Sequence, residues 1–353
     1  MIDKPNKTKN QGYRIVALAF VASFLMVLCS VMGVASGYLL WEALHFPYPS
    51  DFYRDLVQPL AAGALLPLVG PRFEDVPPEQ ATAQAMQDNP RFNVLLLGLD
   101  QRVQAQHRAF RTDTIILASL SLETGEAVLF SIPRDLYVDV PGYGQRRINI
   151  VHLLGETRGY PGAGPALLSD TIQQDFGTPM HGYVMINLQG FRQIVDVLGG
   201  VDIYVEKDIW DNKYPDDRGG EMTIHIQAGQ QHMDGEMLLR YCRSRYTTDD
   251  FDRARRQQRA LVALGKKFLS LQMLPRLPEL LHTMRHTIYT DLETDEVLRL
   301  AQIGGQVDPG QVRSVVIDRS LLDPSQRQPG DEPDLLYPDW EKIHALVDEL
   351  FSE

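Results

Sequence analysis

The chain has little cysteine. Cys29 and Cys242 are the only two in 353 residues, too few for a disulfide framework or a cysteine-based zinc site. Positive charge is also in deficit: 34 Lys and Arg stand against 46 Asp and Glu, a formal net charge of −12. A non-specific nucleic-acid binder needs a broad basic surface to displace phosphate counterions, so no nucleic-acid partner is expected. No Gly-x-Ser-x-Gly elbow, P-loop or zinc signature occurs, which removes support from those enzyme classes. The nine histidines form no metal-spaced cluster, and His107, His152 and His181 read as surface or loop residues. What is present is apolar: 44% of residues are hydrophobic, with 13 Phe, 14 Tyr and 3 Trp. That is enough for a sizeable core and argues against a disordered chain.

Charge is missing most conspicuously from residues 15–40, which hold no Asp, Glu, Lys, Arg or His. The run exceeds the roughly 20 residues a helix needs to cross the hydrocarbon core. Lys4, Lys7, Lys9 and Arg14 precede it and Tyr38 and Trp41 close it. The positive-inside rule then gives a single-pass protein of the cytoplasmic membrane, N-terminus in, everything after Trp41 extracytoplasmic. A cleaved signal peptide is the rival, but its apolar region spans only roughly 7–15 residues.

Four divisions are expected. Residues 1–14 form a short cytoplasmic tail and 15–40 the transmembrane helix. Residues 41–91, dense in proline, form a juxtamembrane stalk. Residues 92–353 form one extracytoplasmic domain. Short apolar runs at 93–98, 114–120 and 127–132 suit strands covered on both faces. Helical spacing appears at 165–176, 188–198, 252–271, 295–307 and 338–350, with further strands at 183–186, 201–205 and 312–317. Strands interleaved with helices imply an α/β fold, a central sheet layered by helices.

Charged clusters border those elements. Asp100 and Arg102 follow the first strand; Arg111 and Asp113 lead into the second; Arg134 and Asp135 follow the third, with Arg147 nearby. From Arg240 to Arg259 seven arginines face three aspartates, a local +4 (7 − 3) in an acidic chain. Arginine supplies the planar fork that grips phosphate in a bidentate manner. Arg253, Arg256 and Gln257 share one helical face near a helix start, where free amide donors favour phosphate. Asp100 and Asp113 are hard carboxylates suited to one or two Mg2+ ligands. A divalent ion with several arginines is what phosphoryl transfer requires. Singly, each cluster has a plain structural alternative: Asp100 in a salt bridge, Arg243 and Arg245 alternating along a sheet edge, Asp249 and Asp250 as loop and helix cap.

Taken in order, these blocks resemble the LytR–CpsA–Psr family. The blocks are residues 93–102, 111–113, Ser131 to Asp135, Arg147 to Asn149, Gly199 to Asp202, and Arg243 to Arg245 with Arg253 to Gln258. They span about 92–274. The resemblance implies an α/β/α sandwich with a central mixed sheet enclosing a hydrophobic pocket for a polyprenyl pyrophosphate. It implies transfer of a lipid-linked glycopolymer, such as a teichoic acid or capsular polysaccharide, onto peptidoglycan. Asp100 and Asp113 match the metal-holding aspartates, for Mg2+ or Mn2+. Arg134, Arg243, Arg245 and Arg253, with Gln257, match the residues around the pyrophosphate; Arg102, Arg111 and Arg147 are expected to join them. Arg134, Arg243, Arg245 and Asp252 are the expected catalytic set, with Asp252 or Asp135 as proton acceptor and Asp135 alternatively orienting Arg134. Arg147 stands where the family more often has lysine. The same residues also suit a pyrophosphatase on lipid-linked substrates, or a non-catalytic polyprenyl-phosphate-binding or regulatory protein.

Overall fold

The computed structural model describes residues 91–100, 110–216, 220–245 and 249–351. The expected tail and membrane segment, the expected stalk through residue 90, and Arg102 lie outside them; Arg91, the last residue of the expected stalk, instead opens the first strand. Twelve strands and eight α-helices follow one another among the described residues. They run β1 (Arg91–Leu99), β2 (Thr112–Ser121), β3 (Ala127–Ser131), the hairpin β4 (Tyr137–Val140) and β5 (Gly144–Arg147), α1 (Val151–Arg158), α2 (Ala163–Phe176), β6 (Gly182–Asn187) and α3 (Leu188–Val197). Then come β7 (Val201–Val205), β8 (Ile209–Pro215), β9 (Glu221–Ile226), β10 (Gly229–Met233), α4 (Gly235–Arg243) and α5 (Asp250–Phe268). The chain closes with α6 (Leu277–Thr287), β11 (Ile288–Thr290), α7 (Thr294–Gly304), β12 (Arg313–Val316) and α8 (Trp340–Phe351).

Six strands form the central mixed sheet, in the order β11-β6-β1-β2-β3-β12. β1 lies antiparallel to β2 and parallel to β6, and β12 is parallel to β3. The expected α/β fold with a central mixed sheet is therefore present. The hairpins β4–β5 and β8–β9, and the antiparallel pair β7–β10 that flanks the second hairpin in sequence, stand outside that sheet. Of their strands, β7 is the one expected at 201–205, whereas β4, β5, β8, β9 and β10 were not anticipated, being only 4–7 residues long. The turn into β7 uses Gly199 and Gly200 at φ +76° and +75°, a backbone region that suits glycine.

The two faces of the sheet differ. On one, Leu95, Leu97, Leu117, Phe130 and Met185 are almost wholly buried against Leu168 and Ile172 of α2 and Ile343 and Val347 of α8. Each such side chain contributes about 1.5–3 kcal/mol relative to exposure. On the other, Leu96, Ala118, Leu120, Leu129, Val184 and Ile186 are only partly buried. Residues paired across a ladder share a face, and Leu96 pairs with Ile116 and Val184 while Ala118 pairs with Leu129. At the far end of that face Val297 and Leu300 of α7 pack against Phe92 and Val94. Between that end and the C-terminus of β1 the apolar face is incompletely covered.

Two histidines depart from expectation. His152 and His181 are buried, at 1% and 6% exposure. The Asn93 N–H donates to His181 Nδ1 at 2.8 Å, and the ring stacks on Phe92. Burial pushes both imidazoles below the ordinary histidine range, with Glu156 opposing this at His152. The unfolded chain, titrating near about 6.5, thus binds more protons than the folded one. Stability is full above that pH and falls as pH drops below it. Thermal melts are expected to show a falling Tm from pH 7 to 5.5, with a shallower fall in His181→Gln. An identical slope in the variant rules out His181 as a contributor.

Candidate functional site

A cavity of about 410 Å³ opens at the C-terminal end of β1. Its wall takes Gly98, Leu99 and Asp100 from the end of β1, Asp113 and Thr114 from the start of β2, and Arg134 from the turn after β3. Asp211 and Lys213 come from β8, Arg243 from the last residue of α4, Arg245 from just beyond, and Arg253 and Gln257 from the first turns of α5. Crevices beyond strand C-termini are where open α/β sheets bind ligands.

Ion pairs organise the cations. Arg134 Nη1 donates to Asp113 Oδ2 at 2.8 Å, and its Nε lies 3.4 Å from Asp135 Oδ2. Burial opposes the charge on Arg134, but Asp113, Asp250 and Asp135 outweigh it and raise its pKa above the ordinary value. Arg243 Nη2 donates to Asp100 Oδ1 at 3.2 Å, with the guanidinium over the Tyr214 ring. Arg253 is 5% exposed. Its Nη2 donates to Asp250 Oδ2 at 3.0 Å and to the Asp113 carbonyl at 3.3 Å, while its Nε is buried without a hydrogen-bond partner. Burial pushes its pKa down to about 10, which leaves it charged at neutral pH. An unpaired buried donor on a cavity wall suits an anionic ligand.

Asp250 is the residue the sequence reading undervalued. Asp249 is the N-cap of α5, accepting from the Asp252 N–H at 2.8 Å. Asp250, one position on, has carboxylate oxygens 3.0 Å from Arg253, 3.8 Å from Arg245 and 3.9 Å from Arg134. It therefore holds three arginines in one array. Asp211 and Lys213 were missed altogether. Asp211, 5% exposed, accepts from Ser244 Oγ at 3.1 Å and from the Arg245 N–H at 3.0 Å. It braces the segment between the two arginines from β8. Its signal is an aspartate at an inward position of an alternating strand, where an apolar residue is usual.

Other expected members lie elsewhere. Arg147 pairs with Asp135 at 2.8 Å and with Glu332, and is absent from the cavity wall. Its hairpin carries it to the outer side of Asp135, whose carboxylate is thus pinned between Arg134 and Arg147. Arg111 is solvent-exposed beside β2 and also absent from the wall. Asp252 is turned away: two residues past Asp250 a helix has rotated about 200°, so it faces Arg255 at 3.1 Å and Lys207 at 3.6 Å. It does not line the cavity. Arg243 sits at a helix end and not on a sheet edge. Arg256 is structural, its Nε donating to the Tyr241 carbonyl at 2.8 Å and its Nη2 to that of Ser244. Cys242 is buried and its thiol is pushed up to about 12, so it supplies no nucleophile.

The profile of the LytR_cpsA_psr family matches residues 73–330. The polyisoprenyl-teichoic acid–peptidoglycan teichoic acid transferase TagU of Oceanobacillus iheyensis is 30% identical over 231 residues, 65% of this chain and 68% of that one. The regulatory protein MsrR of Staphylococcus aureus is 28% identical over 235 residues, 66% of each chain. Among solved structures, TagV of B. subtilis has a TM-score of 0.56 at 23% identity, covering 74% of this chain and 97% of that one. TagT bound to LIIa-WTA has the same score and identity, covering 80% and 95%. These structural likenesses concern the fold.

Proposed function

Because the chain belongs to the LytR–CpsA–Psr family, we propose that it is a membrane-anchored phosphotransferase. It moves a glycopolymer from a polyprenyl-pyrophosphate carrier onto peptidoglycan, outside the cytoplasmic membrane to which residues 15–40 tether it. The observation that carries this reading is the convergence of Arg134, Arg243, Arg245 and Arg253 on one cavity beside an incompletely covered apolar sheet face. The arginine array suits a pyrophosphate, and the apolar face a polyprenyl chain leading away from it. TagU is named for the same type of transfer.

In the proposed reaction a peptidoglycan hydroxyl attacks the sugar-linked phosphorus. A new phosphorus–oxygen bond forms, the bond to the polyprenyl phosphate breaks, and that monophosphate leaves, the hydroxyl proton passing to the leaving phosphate or to solvent. The arginines stabilise charge on both phosphates, a contribution that grows in a water-poor cavity. Asp250 and Asp113 orient Arg134 and Arg253, so the array is set before the substrate arrives. Neither expected base serves well, since Asp252 faces away and Asp135 is held between two arginines.

Mg2+ is part of the proposal. Asp100 and Asp113 put hard oxygens on the cavity wall, and no group of three His, Cys, Asp or Glu suited to a metal occurs among the described residues. Two carboxylates suit an ion that keeps several waters and takes phosphate oxygens for the rest. When bound, it would neutralise phosphate charge.

The test uses the full chain with a polyprenyl-pyrophosphoryl sugar, peptidoglycan fragments and Mg2+. A covalent sugar–peptidoglycan product is expected, falling at least about 100-fold in Arg245→Ala and in Asp113→Asn. Sugar phosphate released without conjugate points instead to hydrolysis. Lipid binding without turnover points to a binding module.

A further inference from the structure

The end of the domain remote from the cavity carries a surface that the transfer reaction does not use. α5 begins at the cavity with Asp250 and Arg253, then passes β3 and β12, where Gln258 donates to Ser131 Oγ at 2.8 Å and to the Val315 carbonyl at 2.7 Å. Nineteen helical residues put its C-terminus roughly 28 Å from its start. There Lys266 and Lys267 share a groove with Pro309 and Val312, which lead into β12. β12 is parallel to β3, and Ala127 at the start of β3 pairs with Leu120, which pairs with Phe92. The C-terminus of α5 and the start of β1 at Arg91 therefore share one end of the sheet, opposite Asp100.

The stretch from the end of α5 to the start of α6 is apolar and basic together. Five large hydrophobic side chains are exposed among the described residues. Three of them, Phe268 at 40%, Leu269 at 45% and Leu277 at 36%, fall between the end of α5 and the start of α6. Lys266, Lys267 and Arg276 accompany them, and Glu279 is the one acidic residue across 266–279, a local +2 (3 − 1) in a chain of −12. Arg276 Nη1 donates to the Val197 carbonyl at 3.1 Å, which ties this stretch to the end of α3. Exposed Phe and Leu interleaved with Lys and Arg are the pattern of a segment lying in a bilayer interface.

We propose that residues 266–279 dock on the surface of an anionic lipid bilayer, leaving the arginine cavity at the far end of the domain. Charge complementarity favours this occupant over a neutral apolar partner, since each basic residue near an anionic leaflet strengthens binding about five-fold. The run at 15–40, read as a membrane span, keeps the chain within reach of that surface. The inference stands apart from the transfer reaction and is tested without it.

The full chain, with Cys29→Ser, is reconstituted into phosphatidylglycerol–phosphatidylcholine vesicles carrying doxyl-labelled lipid. A fluorophore is placed by Leu269→Cys, or by Ser325→Cys as a control on an exposed turn. The expected result is at least two-fold quenching at position 269 and none at 325. Quenching at 269 should fall several-fold in pure phosphatidylcholine, and likewise when Lys266→Glu and Lys267→Glu are combined. A folded chain with no lipid quenching at 269 overturns the proposal. So does energy transfer between 269 labels that rises with protein concentration in the absence of lipid quenching, because a second copy then covers the patch. Equal quenching in both lipids and in the charge-reversed variant also overturns it.

Discussion

Arg253→Ala is expected to lower turnover about 1000-fold with only a small change in Tm. The guanidinium is on the cavity wall, is 5% exposed, and has a buried Nε with no hydrogen-bond partner. Removing a preorganised cation or donor from a phosphoryl- or acyl-transfer site typically costs 10² to 10⁵ in rate, so about 10³ is a middle expectation. The fold should tolerate the loss, because Asp250 keeps Arg134 and Arg245 as neighbours. Arg253→Lys keeps a charge but not the fork, and should recover only part of the rate. Arg255→Ala is the control. Its side chain pairs with Asp252 and Asp318, away from the cavity, and its loss should change turnover less than two-fold. Single-turnover rates with the lipid-linked sugar, alongside thermal melts, decide the matter. Equal losses in the Arg253 and Arg255 variants would show that general surface charge, and not the cavity, carries the effect.

Gly235→Ala is expected to be the most destabilising small substitution near the site, at about 3 kcal/mol. A Cβ at Gly235 would lie 2.3 Å from the Arg192 carbonyl oxygen and 2.8 Å from its Cα. Backbone cannot swing aside as a flexible side chain can, so α3 and α4 must separate. The Gly235 N–H also donates to Asp196 at 2.8 Å, and that bond would stretch. For a domain of this size the loss corresponds to a fall in Tm of roughly 6–12 °C. Activity should fall as well, because α4 ends at Arg243 and a shifted helix carries that arginine off Asp100. Gly265→Ala in α5 makes the opposite prediction. Nothing lies within 4 Å of its Cβ position, so relief of glycine's entropy cost should stabilise the helix by about 0.5–1 kcal/mol. Denaturant melts of the two variants should move in opposite directions; a shared direction would remove the close-contact argument.

Much of the frame was legible because it rests on local periodicity. The runs at 93–98, 114–120 and 127–132 became β1, β2 and β3, and the helices expected at 188–198 and 338–350 appeared within two residues. The expected helix at 252–271 begins two residues earlier, since Asp249 and not a later residue caps it. The β4–β5 and β8–β9 hairpins, α1 and α6 were among the elements not anticipated; the hairpin strands and α1 are at most 8 residues long, too short to set a clear period. The buried His152 and His181 were misplaced because a histidine's burial depends on partners far along the chain, such as Asn93.

Seven of the expected site residues share one cavity: Asp100, Asp113, Arg134, Arg243, Arg245, Arg253 and Gln257. Composition and spacing marked these as charged clusters at element ends, which is a one-dimensional property. The sequence by itself determined the α/β class, the principal strands and helices, and the pool of arginines at element ends. Only the tertiary structure decided which charges meet. A rotation of about 200° between Asp250 and Asp252 sends one carboxylate to three arginines and the other to the opposite side of α5. Strand β8, distant in sequence from Arg134, supplies Asp211 and Lys213 to the same wall. Such pairings depend on distances across the fold, and side-chain identity does not encode distance.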